Sequence, residues 1–115
     1  MLTEIDHVGI AVEDLDGAVE RYRRSFGLEP VHRERVPSQG VEEVLFAVGT
    51  SYVQLLGALA PDTPVGRFLE RRGEGVHHVA YRVDDVPRAG SRGTTIAFVH
   101  PSAMGGVLVE LVQEP

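Results

Sequence analysis

The sequence contains no cysteine. Disulfides and thiolate metal sites are therefore excluded, and any metal must be held by imidazole, carboxylate, amide or water. It also contains no lysine: all eleven basic residues are arginine. That reads as a compositional bias of the coding sequence and not as a functional signal, although arginine suits the clamping of phosphate or carboxylate. Positive charge is in deficit. The formal net charge of −6 argues against a nucleic-acid surface. Long apolar runs are absent too, and the N-terminus carries charge within six residues. Secretion and membrane insertion are not expected, and the cytoplasm is the default location. What is present is an ordinary apolar share, 43% of 115 residues. That is enough for one compact unit, or for two small modules sharing a core.

The chain is organised around Gly75–Val83, GVHHVAYRV. It alternates like a strand, and on a strand neighbours point to opposite faces. His78, Ala80 and Arg82 share one face. His77, Val79, Tyr81 and Val83 share the other, which reads as core, so His77 is assigned a structural role. The same phrase opens the chain: His7-Val8-Gly9-Ile10-Ala11-Val12 matches His78-Val79-Ala80-Tyr81-Arg82-Val83. This internal repeat pairs His7 with His78.

Taken in order, residues 4–12 form a strand with His7, Gly9 and Ala11 on one face. Asp14 can cap a helix whose apolar stripe is Leu15, Ala18, Val19, Tyr22 and Phe26, with Gly27 at its stop. Glu29–Val36 is a polar strand near an edge, and Pro37–Gly40 is a turn. Val41–Val48 is a strand in which Glu43 shares a face with Val41, Leu45 and Ala47. Ser51–Leu56 is a strand carrying Gln54. Thr63 caps a short helix that starts at Pro64 and ends at Gly73. Beyond Val83 lies a basic, glycine-bearing loop, Pro87–Gly93. The strands Thr94–His100 and Val107–Val112 follow, the latter carrying Glu110. VLVELV (107–112) echoes SYVQLL (51–56), so Glu110 is the repeat partner of Gln54.

The repeat thus yields two pairs, His7/His78 and Gln54/Glu110. Two modules related by a pseudo-twofold would bring the four together. Two imidazoles, a carboxylate and an amide oxygen suit a divalent ion with water in the open positions.

With these residues in view, the chain resembles the vicinal-oxygen-chelate superfamily, and within it the methylmalonyl-CoA epimerases. The resembling segments are IDHVGIAVEDLDGAV (5–19), QGVEEVLF (39–46), VQLLGAL (53–59), DTPVGRFLERRGEGVHHVAYRVDDV (62–86) and IAFVHPSAMGGVLVELVQ (96–113). The resemblance implies an α+β fold of two βαβββ modules with pseudo-twofold symmetry, forming a cupped mixed sheet around a metal site. The modules would be residues 1–59 and 76–115 of a single domain, with 60–75 as connector. It implies His7, Gln54, His78 and Glu110 as metal ligands and Glu43 as a catalytic acid/base, with Glu110 as the other. The ion would be Co²⁺ in the first instance, with Mn²⁺, Ni²⁺, Zn²⁺ or Mg²⁺ as alternatives. The substrate would be an acyl-CoA thioester and the assembly a homodimer. The activity would be interconversion of (R)- and (S)-methylmalonyl-CoA. Alternatives within the fold are a glyoxalase I-like lyase, an extradiol dioxygenase or a metal-free binding module. Arg88 and Arg92 are candidates for the CoA nucleotide, and His100 is open between a supporting and a capping role.

One departure stands out. His7 to Gln54 spans 47 residues, but His78 to Glu110 spans only 32. The second module is 15 residues short by its own repeat. What is missing, at Val86–Pro87, corresponds to a helix and the second strand. Without a covering helix, Val79, Tyr81 and Val83 would forfeit about 1.5–3 kcal/mol of burial each. The sequence therefore predicts that this segment belongs to the full protein.

Overall fold

A computed structural model describes residues 2–84, 95–99 and 107–113. The element order is β1 (Leu2–Ala11), α1 (Leu15–Phe26), β2 (His32–Val36), β3 (Val41–Val48), β4 (Ser51–Ala58), α2 (Pro64–Arg72), β5 (Gly75–Val83), β6 (Thr95–Val99) and β7 (Leu108–Gln113). The seven strands form one mixed sheet in the order β2-β3-β4-β1-β5-β7-β6. The repeat governs the topology. β4 runs parallel to β1, and β7 runs parallel to β5 in the same way. The two copies meet where β1 pairs antiparallel with β5.

Local chemistry explains the helices. The Asp14 carboxylate accepts from the Gly17 amide at 3.1 Å, and Gly27 closes α1 at φ 66°, a left-handed conformation that glycine enters without a Cβ penalty. Thr63 caps α2 by accepting from Gly66, with Pro64 in its first turn. Phe26 departs from the expected stripe. It is the last residue of α1 and is 68% exposed, its ring meeting the edge of Tyr22. The second strand is shorter than the sequence predicts and starts at His32, because Pro30 has no N–H for the ladder. β4 is longer and runs to Ala58, which pairs with Val41.

The two helices lie on opposite faces. α1 covers Val12, Val44, Phe46 and Leu55 with Ala18 and Val19, while α2 brings Val65 and Leu69 onto Ala11, Val41 and Leu56. Strand alternation puts that second set on the same face as Gly9, Glu43 and Gln54. α2 therefore closes one end of the polar face. The second copy shows three strands and, among the described residues, neither a helix nor a counterpart of β2. Val83 is buried, whereas Val79 and Tyr81 are half-buried. The Val86–Pro87 junction, Arg88, Arg92 and His100 lie outside the described residues. No helix among the described residues is long and apolar enough to cross a membrane.

Candidate metal centre

One polar residue from each of six strands lines the face beneath α2: His32 on β2, Glu43 on β3, Gln54 on β4, His7 on β1, His78 on β5 and Glu110 on β7. The centre of the row lies over Gly9, which pairs with Gln54 on one side and His78 on the other. A Cβ at Gly9 would stand 2.3 Å from His78 Cε1, so the missing side chain is the space the imidazole occupies.

His7 Nε2 and His78 Nε2 are 2.9 Å apart, their rings nearly perpendicular at 89°. Glu110 Oε2 lies 3.9 Å from His78 Nε2. One ligand atom from each of His7, His78 and Glu110 falls within 4.8 Å of the others. Two donors about 2.1 Å from one ion and at right angles would stand about 3.0 Å apart, the separation of the two imidazoles. Gln54 is 9% exposed. Its Nε2 donates to Glu43 Oε1 at 2.9 Å, while its buried Oε1 meets no donor among the described residues. A buried carbonyl without a partner costs about 1–3 kcal/mol, and a cation would satisfy it. The donor set thus fits a divalent ion on geometry and on hydrogen-bond accounting.

Backbone irregularities complete the site. The β1–β5 register shifts between Ile5 and His7, and again between Gly9 and Ile10. Asp6 and His77 are the extra residues, and each side chain reaches the neighbouring histidine. Asp6 Oδ2 is 2.7 Å from His7 Nδ1, and His77 Nδ1 is 2.9 Å from His78 Nδ1. This corrects the assignment of His77 to the opposite, core-facing side. The bulge breaks the two-residue alternation, and the His77 ring meets Phe68 of α2 at 5.0 Å between centroids. A carboxylate only accepts, so Asp6 holds the proton of a neutral His7 on Nδ1 and turns the Nε2 lone pair inward.

The electrostatics follow. The His7 hydrogen bond, with help from Arg82 and against desolvation, holds the Asp6 carboxyl below its usual range. Arg82 Nε donates to Asp6 at 2.7 Å, and its other end reaches Glu4 and the Thr50 carbonyl. Burial, reinforced by His7 and His77, lowers His78 to about 3, so its imidazole is neutral and free to bind a metal. Burial also raises Glu110, with His7 opposing.

The sequence-predicted residues His7, His78 and Glu110 come together. Gln54 joins the row through its contact with Glu43. Asp6, Arg82 and His32 were missed. The signal for Asp6 was available, because the repeat that pairs His7 with His78 also pairs Asp6 with His77.

Comparison with known proteins identifies the family. Residues 6–95 match the model of the glyoxalase/bleomycin resistance protein/dioxygenase superfamily. The chain belongs to that superfamily. It is 31% identical to an ethylmalonyl-CoA/methylmalonyl-CoA epimerase of Cereibacter sphaeroides, over 98% of this chain and 99% of that one. A glutamate-to-glutamine variant of Streptomyces coelicolor methylmalonyl-CoA epimerase, in complex with 2-nitronate-propionyl-CoA, superposes with a TM-score of 0.89 at 40% identity, covering 99% of each chain. A methylmalonyl-CoA epimerase in complex with methylmalonyl-CoA and NH4+ matches with the same score at 41% identity, over 99% of this chain and 96% of that one. The alignment with the Cereibacter relative runs over 133 residues, more than the 115 present here. The alignment therefore includes positions of the relative that have no counterpart in this chain.

Proposed function

We propose that the protein is a metal-dependent epimerase interconverting (R)- and (S)-methylmalonyl-CoA by proton transfer at C2. The observation that carries this reading is the row itself: a carboxylate, Glu43, held beside a cluster of ligand atoms but outside it. His7, Gln54, His78 and Glu110 would hold a divalent ion, Co²⁺ in the first instance, which supplies Lewis-acid stabilisation of the charge that develops when the C2 proton leaves.

The protein's own groups supply the rest. Inversion needs an acid/base group on each face of the planar enolate. Glu43, 16% exposed in its side chain, serves one face. The Gln54 amide holds its Oε1 and so fixes the carboxylate plane. Glu110, which would also ligate the ion through its carboxylate, is assigned to the opposite face. The CoA nucleotide is polyanionic. Beside His77 a cavity of about 280 Å³ is lined by Arg67, Arg71 and Arg72 with Phe68, and these arginines are assigned to the phosphates. A homodimer is part of the same reading, supported by exposed apolar residues such as Val76 (54%) and Phe98 (64%).

The test is NMR of methylmalonyl-CoA in D₂O, following inversion and C2 exchange together. Both are expected with metal, both are lost with chelator, and both return with Co²⁺. Metal-loaded protein that does neither refutes the assignment.

A further inference from the structure

Glu43 has a second neighbour that the mechanism above does not use. Its Oε2 lies 3.4 Å from His32 Nε2. The same nitrogen is 3.0 Å from Glu34 Oε1. His32 and Glu34 are two residues apart on β2, an edge strand of the sheet, and Glu34 pairs across the ladder with Glu43. Exposure rises along this line: 16% for the Glu43 side chain, 43% for His32 and 46% for Glu34. The three ligating atoms form a cluster of their own.

We propose that His32 is the proton relay of Glu43. This rests on the epimerase reading. Once Glu43 has taken the C2 hydrogen, it must lose it before it can act again in the same direction. Gln54, its other partner, carries an amide that cannot take up a proton. His32 can. The hydrogen on His32 Nε2 first leaves to Glu34 Oε1 and bulk water, the proton on Glu43 Oε2 then moves to the vacated Nε2, and no bond other than those to hydrogen changes. The simpler role is charge pairing, a cation placed between two carboxylates that face each other across β2 and β3. The two roles separate because arginine keeps the cation but carries no exchangeable charge state near neutrality.

The experiment compares wild type, His32→Ala and His32→Arg, all metal-loaded, in D₂O on the epimer whose C2 exchange is lost in Glu43→Gln, the one Glu43 deprotonates. It reads deuterium entering the unreacted epimer per inversion. With the relay, the hydrogen held by Glu43 is exchanged before it returns; without it, the original hydrogen returns. Both variants are expected to lower this ratio by about tenfold or more, with kcat falling and kcat/KM nearly unchanged. Added imidazole should restore the ratio in His32→Ala, and thermal melts should confirm that the variants fold. An unchanged ratio in folded His32→Ala overturns the relay, as does a wild-type ratio in His32→Arg. Wild type that inverts without any wash-in overturns it as well. Wild type that neither inverts nor exchanges overturns the epimerase reading, and the relay with it.

Discussion

Gly9→Ala tests the geometry of the centre most directly. The backbone of Gly9 lies outside the left-handed region, so alanine is conformationally acceptable and would even stiffen the unfolded chain by about 0.4–1 kcal/mol. The added Cβ, however, would meet His78 at 2.3 Å (Cε1), 2.6 Å (Nδ1) and 2.8 Å (Nε2). Reaching ordinary contact at 3.4 Å requires the ring to retreat by about 1 Å. It has little room to do so, with His7 on one nitrogen and His77 on the other at 2.9 Å each. A metal site tolerates about ±0.2 Å in its ligand distances, so the displacement is several times what coordination allows.

Overpacking of this kind costs about 1–3 kcal/mol in the metal-free fold, which should lower the melting temperature without abolishing folding. Metal affinity should fall by about 10–100-fold, the range seen when a ligand's support is disturbed. The control is Gly75→Ala on β5, where an added Cβ meets nothing within 4 Å. Dissociation constants from chelator competition, with metal content by elemental analysis, give the answer. If Gly9→Ala binds metal within about twofold of wild type, the close approach of His78 to Gly9 does not shape the site.

Glu43→Gln should abolish inversion while leaving metal content near normal, because Glu43 lies outside the ligand cluster; full inversion in this variant would remove Glu43 from the mechanism. Asp6→Asn should weaken metal binding more than His77→Gln, by about tenfold, because only Asp6 offers its histidine an anionic acceptor; chelator competition measures both. Arg71→Glu should raise KM for methylmalonyl-CoA and leave kcat nearly unaltered, and an unchanged KM would remove this arginine from CoA binding. In metal-free protein, the unfolded chain takes up a proton at a histidine near pH 6.5, which folded His78 refuses until about 3. Stability should therefore rise with pH across that window, with a slope of about 1.4 kcal/mol per unit from this residue; urea titrations should show that slope in the difference between wild type and His78→Gln.

Much of the site was legible because the repeat makes two weak signals confirm each other. A lone strand histidine, or a lone strand glutamine, carries little. His7 with His78 and Gln54 with Glu110, at matched places in two copies, imply convergence before any coordinates. α1 was legible to the residue, since Asp14, the apolar stripe and Gly27 all point to one helix from Leu15 to Phe26. What escaped depends on cross-strand proximity. His32 is eleven residues from Glu43 and belongs to a polar strand with no apolar alternation to set its facing. Only the β2–β3 register brings its imidazole to the carboxylate.

The bulges escaped for a different reason. A two-residue period is the assumption that lets a strand be read at all, and a bulge is the place where that assumption fails. Reading GVHHVA as a regular strand sends His77 to the far side from His78. The register shift opposite Ile10 brings it back. The same shift beside Asp6 does the same for His7, so the repeat extends to its irregularities. The two copies use one backbone device and fill it with different chemistry. Asp6 places an anion behind His7, which raises the basicity of the ring and pins its tautomer. His77, lowered by burial, places a neutral ring behind His78. Such a ring offers a hydrogen bond without adding charge to an already carboxylate-rich centre. The pseudo-symmetric scaffold therefore presents two electronically unlike imidazoles to one point, an asymmetry that the sequence carries in the pair Asp6/His77 and that only the bulges make effective.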